Sequence, residues 1–176
     1  MRWMTLAHLH LDRVASAWLI ARFVDEKPEF AYLDWDAERP QNGAVTLFGM
    51  PGVELSSHDE HGTCFSKILR AFDLGDDPAL ALLERVVAAG VAHALGHEPV
   101  PDLDHDLQAL GIGLDLLGIG LGVTADDAQH LAHAMPVYDA LYRLCGARTL
   151  PQELRDQVPK LPGERAAYLR EVLAVS

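Results

Sequence analysis

Positive charge is scarce in this sequence. Fourteen Lys and Arg stand against 26 Asp and Glu, a formal net charge of −12. An acidic surface repels a phosphate backbone and disfavours a general anion trap, so nucleic acid is not an expected partner of this chain alone, whereas cations are attracted. Cysteine is almost missing: Cys64 and Cys145 are the only two. That excludes a disulfide framework and suits a reducing compartment. The sequence carries no apolar run read as long enough to cross a bilayer. Nor does Met1-Arg2-Trp3 open a secretory signal, because His8, His10 and Asp12 interrupt any apolar core. A cytoplasmic protein with no membrane association is expected. Internal repeats and low-complexity tracts are lacking, and no Ser-His-Asp arrangement is legible. The glycine-rich stretch Gly111 to Gly122 fails the GxGxxG test, since Leu116 and Val123 stand where a third glycine is needed. Its glycines instead recur every seven residues, Gly111 with Gly118 and Gly113 with Gly120, which puts small residues on one helical face and lets another helix approach closely.

What remains is a chain of 176 residues, 49% hydrophobic, large enough for one domain with a real core. Asp12 can cap a helix to about Val24 or Asp25 with an apolar stripe of Val14, Trp18 and Phe23. Strands are expected at Phe30–Trp35, Ala44–Phe48 and, briefly, Val53–Leu55, with turn chemistry at Pro40-Gln41-Asn42-Gly43. Thr63 can cap a helix to about Phe72, and Asp77-Pro78 opens another to about Ala89. A Gly, His and Pro-rich loop follows to Pro101, then helices near Leu107–Leu121 and from Thr124 to about Cys145, stopped by Gly146. Pro151 and Pro162 start short helices in a charged tail. The fold class is α+β, mostly helical, with a small N-terminal sheet packed on a helical bundle.

The densest chemistry lies in His58-Asp59-Glu60-His61-Gly62-Thr63-Cys64: two imidazoles, two carboxylates and a thiol in seven residues. Imidazole and thiolate suit Zn(II), and added carboxylates bring in Mn(II) or Fe(II). The plain alternative is an exposed polar turn with Cys64 buried under the next helix. Of the two imidazoles His58 is preferred, because it lies nearer the strand end that anchors Glu54. Glu54 points opposite to Val53 and Leu55, as a ligand, a base or a solvated side chain. Asp126, His130 and His133 share one face of the long helix, as a metal edge or a solvated face. Asp127 falls on the inward stripe with Leu131, Ala134, Tyr138, Leu141 and Cys145, where a carboxylate needs a partner such as Arg13 or a metal. Arg13 could hold a carboxylate or an oxyanion. His93 and His97 are read as loop residues, each more often structural than ligating. Asp104-His105-Asp106 is a better candidate, since an acid can orient a ligating imidazole. Cys64 near a helix start could also be a nucleophile of lowered pKa with His58 or His61 as base.

Several segments carry a resemblance. Asp12-Arg13-Val-Ala-Ser-Ala-Trp18-Leu-Ile-Ala-Arg22-Phe23-Val-Asp25, Pro51-Gly-Val-Glu54-Leu and the His- and Cys-bearing loop resemble the C-terminal domain of the chromate-resistance protein ChrB. The likeness continues through Asp77-Pro78-Ala-Leu80, His105-Asp106-Leu107, Gly113-Leu114, Gly120-Leu121, Asp126-Asp127 and Tyr138-Asp139-Ala-Leu-Tyr142. It covers roughly residues 10 to 146. The family loop tends to read Cys-Thr-Phe where this chain has Thr63-Cys64-Phe65, and Ala128 stands where a His often follows the acid pair. The resemblance implies a role in chromate response. The resemblance further implies kinship with a full-length form similar to a regulator with an N-terminal DNA-binding part, and with rhodanese-type sulfurtransferases to which the family's domain is also joined, an expectation of sulfur or oxyanion metabolism.

The combined expectation is a ChrB-like domain over residues 1–146 with a helical extension, 147–176, packed on it. A divalent metal (Zn, Mn or Fe) is expected at His58, His61, Glu54, Asp127 and His105, for sensing or metal-assisted chemistry. Asp12, Arg13, Cys64 and Tyr138 are the candidate substrate-binding residues, with a small oxyanion as candidate ligand and no catalytic residue assigned. A metal-dependent enzyme on a small anion and a metal-free partner-binding module are the alternatives. Oligomerisation is left open.

Overall fold

A computed structural model describes the chain except for residues 41, 42, 44 and 176. Two residues of the expected turn at 40–43, residues 41 and 42, and the start of the strand expected at Ala44 therefore lie outside the described residues. The architecture is α+β and mostly helical. A three-stranded sheet has order β2-β1-β3, built from β1 (Arg2–Leu6), β2 (Glu29–Leu33) and β3 (Thr46–Leu47). Both pairings are parallel, Arg2 to Leu6 against Glu29 to Leu33 and Trp3-Met4 against Thr46-Leu47.

The central strand is the element the sequence reading omits. Trp3, Thr5 and Leu6 are buried, but five residues at a chain end give too short a pattern to register as a strand. The segment expected as a third strand, Val53–Leu55, contributes only the bridge of Leu55 to Phe48. Parallel neighbours need a crossover, and α1 (Leu11–Leu19) with a π-helical turn (Ile20–Val24) supplies it between β1 and β2. The first helix is not capped by Asp12: its N-cap is His10, without a side-chain cap.

The remaining helices follow the sheet strands in the chain and pack on one another. In α2 (Cys64–Ala71) Thr63 caps as expected, its Oγ1 accepting from the Ser66 amide at 3.0 Å. Next, α3 (Pro78–Leu95) starts at the Asp77 cap and runs past Gly90 to the left-handed Gly96, so His93 is helical rather than in a loop. Gly90 does not end the helix because it serves packing. A Cβ there would lie 2.6 Å from the Gly111 carbonyl oxygen in α4 (His105–Thr124), which crosses α3 at that point. Asp126, not Thr124, caps α5 (Asp127–Thr149), which continues beyond Gly146. Two short helices close the chain, α6 (Gln152–Arg155) and α7 (Pro162–Val175), with Leu173 of α7 against Gly146 of α5.

Both α3 and α4 are long and apolar enough to cross a membrane by length and composition, contrary to the expectation from the sequence. Each contributes buried residues to the shared core of Trp3, Trp18, Phe48, Phe65 and Leu83. On α4 Leu116, Leu117, Ile119 and Val123 stay exposed. The seven-residue glycine pattern divides accordingly: Gly111 and Gly118 face neighbours, whereas Gly113 and Gly120 face open space.

Candidate functional site

In parallel α/β sheets ligands gather at the carboxyl ends of the strands. Here the end of β1 leads into the turn Ala7–His10, in which His8 has φ +59°, and Leu11, which opens α1, has φ +22°. Neither conformation is favoured for a residue with a side chain, so the turn is held from outside. The Asp127 carboxylate accepts from the amides of His8 at 2.9 Å and Leu9 at 2.6 Å. Arg13 donates from Nη1 to the carbonyls of Leu6 (2.8 Å) and Ala7 (3.1 Å), and from Nη2 to that of His8 (2.7 Å). Its stem lies on Gly49, where φ is +62° and a Cβ would come within 2.7 Å of Arg13 Cγ. Asp127 and Arg13, two of the candidate ligand-binding residues, thus brace the turn.

Asp12 braces the other direction. It is buried, and its Oδ2 and Oδ1 accept from the amides of Cys64 (2.9 Å) and Phe65 (3.1 Å). It therefore caps α2 across the molecule rather than its own helix. Burial raises its pKa from the ordinary carboxylate value, and the two amides oppose that shift.

The His58 loop is equally fixed. Buried Lys67 donates to Ser56 Oγ (2.9 Å) and the Ser57 carbonyl (2.6 Å), and its Nζ lies 2.7 Å from Asp59 Oδ2. That hydrogen bond, with the His61 amide on Oδ1, lowers the Asp59 carboxyl to about 2. Arg70 donates to the His61 carbonyl at 3.0 Å.

Between turn and loop lies a cavity of about 330 Å³ whose wall includes His10, Asp12, Arg13, Trp35, Ser57 and His58. The other candidates lie elsewhere. The Glu54 side chain is exposed, and that of His61 is 75% exposed beside Glu60. Meanwhile His105 lines a separate cleft with His93 and His97. Tyr138 is in the core, donating to the Leu11 carbonyl at 3.3 Å. On the Asp126, His130 and His133 face, Asp126 caps the helix, His130 is buried and His133 exposed. Among the described residues no group of three or more His, Cys, Asp or Glu is placed to share one metal ion.

Cys64 has 0% exposure, its Sγ 3.4 Å from the Leu55 carbonyl oxygen. Burial, with Asp12 adding to it, pushes its thiol up to about 12, opposite to the direction a nucleophile needs. Cys145, also buried, is pushed up to about 11. Both thiols are therefore expected to stay unmodified by a thiol reagent in the native protein at pH 8 and to react fully in denaturant; rapid native labelling would contradict this placement.

The sequence reading missed Asp115. It is buried on α4, its Oδ1 3.0 Å from His10 Nε2 and its Oδ2 2.7 Å from His93 Nδ1. The signal was present: Asp115 lies four residues after Gly111 and three before Gly118, on the face those glycines turn inward.

Residues 3–145 match the sequence profile of the ChrB C-terminal domain. The chain belongs to the ChrB C-terminal domain family. This ChrB-type domain is also similar to Protein ChrB of Cupriavidus metallidurans, 33% identical over 130 residues. That match takes in 66% of this chain and 39% of the relative, so the chain spans well under half the relative's length. No solved structure matches it. The matched span runs from β1 nearly to the end of α5 and includes every wall residue of the cavity.

Proposed function

We propose that this ChrB-family domain serves the chromate or metal-stress response as a sensing domain in the cytoplasm, and that its effector site is the cavity between the Ala7–His10 turn and the His58 loop. The effector is a divalent cation of the Zn, Mn or Fe type. His58 is its first ligand and His10 its second, with water or a further small ligand completing the shell. The observation that carries this reading is that imidazoles from two separately braced segments line one cavity. The acidic chain supports it, since cation capture has the overall field on its side. A small oxyanion is less well served, because both Nη atoms of Arg13 already donate to main-chain carbonyls. The two free, buried cysteines suit a reducing compartment.

The test is calorimetric titration of the full chain with Zn(II) and, separately, with chromate. One Zn(II) per chain, lost in His58→Ala with an unchanged melting temperature, is expected. Full Zn(II) binding by the double variant His10→Ala, His58→Ala would sink the site assignment. Chromate binding without metal binding would turn the site over to an oxyanion.

A further inference from the structure

The buried Asp115 carboxylate stands between two imidazoles that belong to different clefts. His10 lines the cavity beside His58, and His93 lines the cleft that also holds His97 and His105. The Asp115 side chain is only 4% exposed, while those of His10 and His93 are 34% and 40% exposed. A buried carboxylate without compensation is costly, so its two neighbours are part of what makes the position tolerable. The Oδ2–His93 Nδ1 hydrogen bond is short, at 2.7 Å. Oδ1 lies 3.0 Å from His10 Nε2 yet has no hydrogen bond of adequate angle, and it is buried without another partner among the described residues.

His10 Nε2 also lies 3.3 Å from the main-chain carbonyl oxygen of Asp115. A carbonyl oxygen only accepts, and an ionised carboxylate only accepts. Both groups facing Nε2 therefore call for a proton on that nitrogen. In a neutral imidazole this leaves the lone pair on Nδ1. Gly118 makes the approach possible, because a Cβ at that position would lie 3.2 Å from His10 Cδ2 and 3.4 Å from Nε2.

We propose that Asp115 is the positioning residue of the cavity: it fixes His10 as the Nε2–H tautomer, so that Nδ1 is the atom offered to a borderline divalent cation. The cation half of this inference rests on the cavity being the effector site. A carboxylate holding the far nitrogen of a ligating imidazole both sets the tautomer and raises the basicity of the ligating nitrogen. His93 shares the same carboxylate, so its loss frees Oδ2 and disturbs His10 without touching the cavity.

The experiment reads the tautomer directly, by nitrogen-15 spectra of the histidine rings in the metal-free full chain. His10 is expected as the Nε2–H form in the wild type and with a weaker Nε2–H preference in Asp115→Asn, where the main-chain carbonyl of residue 115 remains as an acceptor. A second variant, Gly118→Ala, keeps the carboxylate and favours the helix but crowds the imidazole, and the same loss of preference is expected. The companion arm titrates Zn(II): Asp115→Asn is expected to bind roughly 10–100-fold more weakly than wild type. A wild-type His10 carrying its proton on Nδ1, or unchanged Zn(II) affinity in Asp115→Asn, would overturn the proposal. Should the wild type bind no Zn(II), the effector reading falls with the cation half, and the ring spectra alone decide the positioning role.

Discussion

Trp18→Ala is expected to lower the unfolding free energy by about 3–5 kcal/mol, the range for removing a large buried aromatic. Against a total of roughly 5–15 kcal/mol for an ordinary domain, that is a third or more of the margin. Trp18 is 1% exposed at the centre of an aromatic group. Its ring stacks at 6.5 Å on Phe65 and meets Phe23 edge-on at 5.6 Å, with Tyr138 and Tyr142 at 6.0 and 5.9 Å. These rings come from α1, the π-helical turn, α2 and α5, so one side chain ties those four elements together. The indole nitrogen also donates to Asp139 Oδ1 at 2.8 Å, and Arg22 holds both oxygens of the same carboxylate. The Arg22 contact, aided by the indole, keeps the Asp139 carboxyl below its ordinary range. Trp18→Phe keeps most of the packing and loses the hydrogen bond, so about 1–2 kcal/mol is expected for it. Urea unfolding of the three proteins checks both figures. A loss under about 1 kcal/mol for Trp18→Ala would mean that the aromatic group does not carry the core.

The same tryptophan shows which parts of the fold can be read from sequence. Val14, Trp18 and the inward stripe of α5 obey a helical period, and Leu131, Ala134, Tyr138, Leu141 and Cys145 are all buried as that period requires. Thr63 and Asp77 announce their helices because capping is local chemistry. Long-range partnership is what sequence hides. Asp12 looks like the cap of the helix it opens, yet its acceptors serve amides 52 and 53 residues away. Arg13 looks free for an anion, yet the carbonyls at the end of β1 take its donors. Gly90 looks like a helix stop, and only the arrival of Gly111 from α4 explains it. For the site, the cavity side of the His58 loop was legible from residue type. His10 and Asp115 were not, because the pair forms only when the turn after β1 meets the inward face of α4.

Asp12→Ala is expected to cost about 3 kcal/mol. Two buried amides lose their acceptor at once, and an unsatisfied buried donor costs about 1–3 kcal/mol. Water can reach this end of α2 only poorly, since Thr63, Cys64, Phe65 and Ser66 are all buried. The Thr63 hydroxyl cannot substitute, because it already accepts from the Ser66 amide. Asp12→Asn keeps one acceptor and turns an amide donor toward the other N–H, so an intermediate loss is expected. The consequence for function follows from the architecture. Asp12 holds the start of α2 against α1, and Lys67 in the first turns of α2 clamps Ser56, Ser57 and Asp59 beside His58. Loosening that helix start releases the loop, so Asp12→Ala should lose both stability and ligand binding, whereas His58→Ala should lose binding alone. Thermal melts paired with Zn(II) titration separate the two. Asp12→Ala that melts like the wild type but fails to bind would make Asp12 a ligand rather than a brace.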